Sequence, residues 1–306
     1  MGRRSAAGGR RRPLRGEAAR LWPTALEEDR ADRDVTTRAV VPPGTQATAT
    51  LLAEGDGTVS GLGMAEALVR RSGLRLRRLA RDGDRVRRGT PVLGLSGDAR
   101  RILAIERSLV NLVMHLSGVA SATRRAVGIA RGRVEVLGTR KTLPGLRRLE
   151  KQAIVDGGGS PHRLDLAEGY LVKSNHLAFA SIPEAIARIR SAPGPRRPIE
   201  VEVRSRAEAI AAVSAGADRL LIDNASPPRV RAIARAARRK AGGRRIHLEA
   251  SGGIREENLD RYARTGVDAV SLGALTHSAP ALPFHLRIEP LRAPGPRPRV
   301  RRTRAR

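Results

Sequence analysis

Between residues 138 and 176 the chain reads GTRKTLPGLRRLEKQAIVDGGGSPHRLDLAEGYLVKSNH. This stretch gathers Arg140, Lys141, Arg147, Arg148, Lys151, Arg163 and Lys173 with His162 and His176 around a Gly-Gly-Gly turn. The chain holds 55 Arg and four Lys, and three of the four lysines fall here. A compact ammonium with rotatable donors and a planar guanidinium fork recognise anions differently, so mixing them in one stretch points to a shaped site. Arg140, Lys141, Arg163 and Lys173, with Arg107 upstream, lack enough neighbouring acids to neutralise them. Paired, charge-assisted hydrogen bonds from such groups suit a dicarboxylate or a phosphate. Lys173 alone could instead form a Schiff base, its pKa depressed by the like charges around it. Arg147, Arg148 and Lys151 read as charges on a helix surface.

Further along, Glu202 and Asp223 could hold Mg²⁺ that keeps its waters and also binds substrate phosphates. They could equally meet ribose hydroxyls, stabilise a developing cation, or pair with the neighbouring Arg and Lys. Glu200, two residues before Glu202, shares its face of a strand and is a lesser candidate. Ser251-Gly252-Gly253 and Gly273-Ala274 offer backbone N–H groups that could cradle a phosphate. His162 and His277 are either ligands or hydrogen-bonded structural imidazoles.

These groups need a scaffold that brings distant residues together. After residue 131, short apolar runs at 134–137, 170–172, 199–203, 219–222, 246–249 and 269–272 alternate with amphipathic helices at 182–191, 206–215, 228–241 and 256–265. That is the pattern of βα units around a parallel sheet or barrel. Ser205 and Pro228 mark helix starts, and Gly216 and Gly266 mark helix ends. Each apolar run ends in a polar or Gly-rich segment, and in an α/β barrel those carboxyl ends open onto one mouth. Upstream, residues 45–53 alternate like a strand. Residues 99–130 carry Ile102, Ile105, Leu109, Leu112, Val113 and Leu116 at helical spacing, with an interruption expected at Ser117-Gly118.

Composition sets the outer limits. The chain of 306 residues has no Cys, which excludes disulfides and thiolate chemistry and suits a cytoplasmic protein. Neither a membrane-spanning run nor a secretory signal is expected. The net charge of +29 is concentrated at the ends: residues 1–16 carry six Arg, and residues 287–306 carry eight Arg against one Glu. These two segments read as basic disordered tails able to contact polyanions non-specifically. One Trp, two Tyr and two Phe leave no stacking platform for single strands.

Taken together, EDRADRDVTT (28–37), ERSLVNLVMHLSGVASAT (106–123), TRKTLPGLRRLEKQAI (139–154), GGGSPHRLDL (157–166), LVKSNH (171–176), EVEV (200–203), LLIDN (220–224), EASGGI (249–254) and YARTGVDAVSLGALTHS (262–278) resemble one family. It is the quinolinate phosphoribosyltransferases, or carboxylating nicotinate-nucleotide pyrophosphorylases. The resemblance implies transfer of phosphoribosyl from phosphoribosyl pyrophosphate to quinolinate with loss of CO₂, in the de novo synthesis of NAD. It implies Mg²⁺ and no organic cofactor. It also implies an α/β fold, with a basic tail at 1–20, an N-terminal α/β sandwich at 21–130, a C-terminal TIM-like α/β barrel at 131–286 and a second basic tail at 287–306. The expected assembly is a homodimer or larger, without membrane contact. Residue by residue, it surrounds quinolinate with Thr139, Arg140, Lys141, His162, Arg163, Lys173 and, from the partner subunit's copy of the chain, Arg107. It gives Lys141, Lys173, Glu202 and Asp223 catalytic roles, sets Glu202 and Asp223 at the ribose and Mg²⁺, and puts the 5-phosphate on Ser251, Gly252, Gly253, Leu272, Gly273 and Ala274. Three positions depart from the family pattern: Arg33 for Gly, Gly138 for Asp and Ser174 for Asp. They leave open another acidic acceptor on the same fold, beside the different possibility of a polyanion-binding protein.

Overall fold

A computed structural model describes residues 15–291. The rest of the two basic segments, 1–14 and 292–306, lies outside the described residues. The N-terminal half carries a four-stranded antiparallel sheet in the order Phe284–Pro290, Gln46–Ala53, Pro91–Asp98, Arg75–Arg78. The helices Leu62–Arg71 and Ala99–Ala130 pack against it, making a sheet-and-helix sandwich.

Both ends of this half differ from expectation. Residues 15–20, read as tail, open the helix Arg15–Glu28. It docks through Trp22, 5% exposed, whose indole N–H donates to Ser72 Oγ at 3.2 Å. Residues 287–290, also read as tail, finish the strand Phe284–Pro290, which returns to pair with Gln46–Ala53 from Ala53↔Phe284 to Ala47↔Pro290. Phe284, Leu286 and Ile288 alternate with His285, Arg287 and Glu289, the period of a half-buried strand. The surrounding Arg and Pro hid that period.

The helix Ala99–Ala130 joins the two halves. Ile102, Ile105, Leu109, Val113 and Leu116 sit in the N-terminal core, whereas Ala122, Ala126 and Ala130 sit in the barrel core. It runs without interruption past Gly118, where a Cβ would stand 2.3 Å from the Pro280 carbonyl oxygen. The glycine permits a close backbone approach instead of ending the helix. By length and a mean hydropathy of 1.3 this helix could pass for a membrane span, but half of that window is buried inside the protein.

The second half is a six-stranded parallel sheet in the order Glu135–Leu137, Ala269–Ser271, His247–Ser251, Arg219–Asp223, Ile199–Val203, Tyr170–Val172. Chain neighbours are also spatial neighbours from Tyr170–Val172 onward, as in a TIM-like barrel. A parallel bridge from Leu137 to Ser160 extends the sheet past its first strand. Helices alternate with these strands, and their ends follow the sequence signals. Ser205 Oγ accepts the Glu208 N–H at 3.1 Å, Pro227 stands in a helical first turn, and Gly216 and Gly266 have φ of 95° and 88°. In Ile199–Val203 all five residues are buried, so this strand is covered on both faces.

Candidate active site

The carboxyl ends of the six strands enclose a cavity of about 550 Å³. Its wall holds Thr139, Arg140, Lys141, His162, Arg163, Lys173, Glu202, Asp223, Ser251, Gly252, Gly253, Gly273 and Ala274. Leu272 is buried just behind the wall, 2% exposed. Arg107 is elsewhere: it lines a separate cleft with Trp22, Asn111, His115 and Leu143. The cavity also takes in groups the sequence reading left out of the site, namely Glu249, Arg255, Asn224 and Ser271.

The cationic wall comes first. Arg140 and Lys141 follow the strand Glu135–Leu137, and two hydroxyls fix their loop. Thr139 Oγ1 accepts the Lys141 N–H at 3.1 Å, and Thr276 Oγ1 donates to the Lys141 carbonyl at 2.6 Å. The Gly157–Gly159 turn brings the chain back across the long helix. A Cβ on Gly157 would lie 2.5 Å from the Ala120 carbonyl oxygen, and one on Gly159 2.7 Å from Thr123 Cγ2. Only a chain without side chains passes so close, and it delivers Pro161, His162 and Arg163 to the mouth. Among the described residues, none of Arg140, Lys141, Arg163 and Lys173 is paired with a carboxylate. The Arg140 Nε is buried without a hydrogen-bond acceptor. Four unneutralised cations around one cavity call for an anion with more than one charge.

Lys151 differs from its reading as a surface charge: it is buried, 4% exposed, and its Nζ donates to the Pro161 carbonyl. Burial, then the nearby Arg147 charge, pushes its pKa down to about 8. Gly138 accounts for the space. A Cβ at 138 would lie 3.7 Å from Lys151 Nζ but only 2.3 Å from Ile154 Cδ1. The Pro161 carbonyl is the partner this ammonium finds, and Ile154 fills the room that a side chain at 138 would take.

The acidic wall lies opposite in chain order. Glu202 is 8% exposed, and its Oε1 accepts the Ser174 N–H at 3.4 Å. Asp223 Oδ2 accepts from Asn224 Nδ2 at 2.8 Å. The guanidinium of Arg204, half exposed, reaches both acids, 3.4 Å from Glu202 Oε1 and 3.4 Å from Asp223 Oδ2. One cation touches both carboxylates, so their oxygens converge on a common point. Deeper in, His162, Glu200 and Glu249 offer three ligand atoms within 4.8 Å of one another, an acidic cluster able to hold a metal. Burial and the neighbouring Glu249 raise the Glu200 pKa to about 7.

Across the cavity, Ser251, Gly252 and Gly253 turn between the strand His247–Ser251 and the helix Glu256–Ala263. Gly252 has φ 88°, and a Cβ there would stand 2.3 Å from Asn224 Oδ1. Its bare backbone is the condition for the turn. With Gly273 beside it, this end of the barrel has the Gly-rich form that receives phosphate at the last two strands.

The chain matches two family models, the N-terminal domain of quinolinate phosphoribosyl transferase over residues 34–117 and the C-terminal domain over residues 119–287. It is 39% identical over 269 residues to a nicotinate-nucleotide pyrophosphorylase [carboxylating] of Mycobacterium leprae, covering 86% of this chain and 94% of that protein. It is 38% identical over 272 residues to a probable nicotinate-nucleotide pyrophosphorylase [carboxylating] of Methanothermobacter thermautotrophicus, covering 87% and 97%. Among solved structures it superposes on NadC from Streptococcus pyogenes with a TM-score of 0.84 at 33% identity, covering 90% of this chain and 98% of that one.

Proposed function

Because the chain belongs to the quinolinate phosphoribosyltransferase family, we propose that it transfers phosphoribosyl from phosphoribosyl pyrophosphate to quinolinate, releasing pyrophosphate and CO₂ and leaving nicotinate mononucleotide for NAD synthesis. It is thus an enzyme of the pentosyltransferase class. The observation that carries this reading is the set of four unpaired cations facing two convergent carboxylates across one cavity.

In this reading Arg140, Lys141, Arg163 and Lys173 hold the two carboxylates of the pyridine acid, with Thr139 and His162 shaping that wall. To Lys141 and Lys173 we assign the contact with the reacting groups. A cationic mouth attracts both anionic substrates and orients the ring nitrogen toward the ribose. As the bond to pyrophosphate loosens, positive charge grows on the ribose, and Glu202 and Asp223 stabilise it. The ring nitrogen closes the new bond, and the resulting pyridinium accepts the electron pair left when the adjacent carboxylate departs as CO₂. A proton from solvent completes the ring. Ser251, Gly252, Gly253, Gly273 and Ala274 surround the 5-phosphate, with Leu272 packed behind them, its N–H given to the Leu137 carbonyl at 3.1 Å.

The Arg204 guanidinium already occupies a point shared by Glu202 and Asp223, so these acids fit a small cation at the mouth. Mg²⁺ bound there, mainly through water and substrate oxygens, would neutralise charge on the pyrophosphate. No organic cofactor is required. Because Arg107 opens onto a different cleft of its own chain, we assign it to the substrate cavity of a second copy, in a homodimer or larger assembly, and we place the enzyme in the cytoplasm. The test of acceptor choice is turnover with quinolinate against nicotinate. Product from quinolinate alone supports the reading, and product from nicotinate alone overturns it.

A further inference from the structure

We propose that Glu249 is a positioning residue that fixes the ring proton of His162 on Nε2 and thereby holds the turn aiming Arg163 into the substrate cavity. The inference rests on the quinolinate reading of that cavity. It starts from a backbone oddity. His162 has φ 54°, in the left-handed region that a residue with a side chain adopts only where its surroundings impose it. Three contacts impose it here. Lys151 Nζ holds the preceding Pro161 carbonyl. The His162 Nδ1 accepts the Arg163 N–H at 2.7 Å. The other nitrogen, Nε2, lies 3.2 Å from Glu249 Oε2 and 3.7 Å from Glu200 Oε2.

The two ring contacts determine each other. A nitrogen that accepts a hydrogen bond carries no proton, so the neutral ring must carry its proton on Nε2. That proton points at Glu249, which is 1% exposed and has no alternative partner in water. Remove the acceptor, and the proton is left facing only Glu200 Oε2, which at 3.7 Å is beyond hydrogen-bond reach and cannot keep it off Nδ1. With the proton on Nδ1, the ring can no longer receive the Arg163 N–H, and the turn loses one of its three ties. Both imidazole nitrogens are spent inside the protein, so His162 serves substrate through the placement of Arg163. Arg163 itself is anchored by one donor to the Gly169 carbonyl at 3.1 Å, which leaves the rest of its fork for a carboxylate. A metal ion in the cluster of His162, Glu200 and Glu249 would need the Nε2 lone pair and would therefore force the opposite tautomer.

The test uses full-length enzyme with ¹⁵N-labelled histidine, the His162 signals being assigned by comparison with His162→Asn. The wild type should show a protonated Nε2 and a bare Nδ1, unchanged on adding Mg²⁺ or Zn²⁺. Glu249→Leu, near in volume but without an acceptor, should mix the tautomers. It should raise KM for quinolinate at least tenfold while kcat and the KM for phosphoribosyl pyrophosphate stay within about threefold, the pattern of lost uniform binding. Glu249→Gln keeps an acceptor oxygen and should restore both the tautomer and the quinolinate KM to within about threefold of wild type. A merely structural role would depress all kinetic constants together, without rescue by Gln. A proton found on Nδ1, a metal-induced switch of tautomer, or an unchanged quinolinate KM in Glu249→Leu would overturn the proposal. The tautomer is read without turnover. An enzyme inactive on quinolinate would therefore refute the acceptor assignment while the spectrum still decides the role of Glu249.

Discussion

The hydroxyl of Thr276 donates to the carbonyl of Lys141 at 2.6 Å, tying the end of the barrel to the loop where its cationic wall begins. The two residues are 135 positions apart in the chain, and Thr276 is 4% exposed. Thr276→Val keeps the shape and deletes the tie, leaving a carbonyl short of a partner. It should cost about 1 kcal/mol of stability. By loosening the Arg140-Lys141 loop it should lower kcat/KM roughly tenfold, since small displacements of positioning groups are costly. Urea unfolding and steady-state kinetics on one preparation measure both effects.

Lys141→Ala and Arg163→Ala remove two of the four unpaired cations. Hydrogen bonds to charged groups contribute roughly 1.5–3 kcal/mol each, which is on the order of 10- to 100-fold in kcat/KM for quinolinate. Neither change should alter thermal stability much, because among the described residues neither cation has a carboxylate partner to lose. Near-wild-type efficiency in both variants would mean that the substrate's carboxylates bind elsewhere.

Lys151 makes a prediction about pH. Its pKa is about 8 in the folded chain against an ordinary 10.5, so between those values the unfolded chain holds a proton that the folded chain has released. Stability therefore rises with pH across that window, and the full penalty of burying the charge applies below pH 8. The difference in unfolding free energy between wild type and Lys151→Met should shift toward wild type by about 1–3 kcal/mol from pH 7.5 to 10.5. A difference that stays flat over that range would contradict the burial of a charged Lys151.

Arg107 lines a cleft of its own, formed with Trp22 and Leu143, and not the substrate cavity. If a second copy supplies it, Arg107→Ala and Lys141→Ala should each lose most of their activity alone. Mixing the two under subunit exchange should regenerate one wild-type site per mixed dimer, and activity should recover toward about a quarter of wild type. Recovery that never exceeds the sum of the two variants would place Arg107 and Lys141 in the service of the same chain.

Much of this candidate cavity was legible because strand ends in a barrel share one mouth. Lys173 follows Tyr170–Val172, Asp223 closes Arg219–Asp223, and the Gly-Gly turn follows His247–Ser251, so locating the strands located the groups. Residues whose role depends on what lies across the fold were not legible. Glu249 sits inside a strand and looks like any buried-strand residue until His162 arrives from 87 positions earlier. Lys151 shares its helix with Arg147 and Arg148 and reads as surface charge, since neither Gly138 nor Pro161 is its neighbour in any local pattern. Arg107 could be recognised by type, but the chain's order says nothing about which cleft it enters. The strand Phe284–Pro290 had the right period, yet its destination, the sheet edge beside Gln46–Ala53, lies more than 200 residues away.

The most direct measurement is the stoichiometry of the reaction with quinolinate labelled in the carboxylate next to the ring nitrogen. With phosphoribosyl pyrophosphate and Mg²⁺, one labelled CO₂ and one nicotinate mononucleotide should appear for each pyrophosphate released. Pyrophosphate release without CO₂, or no turnover of quinolinate by enzyme whose fold is intact, would contradict it.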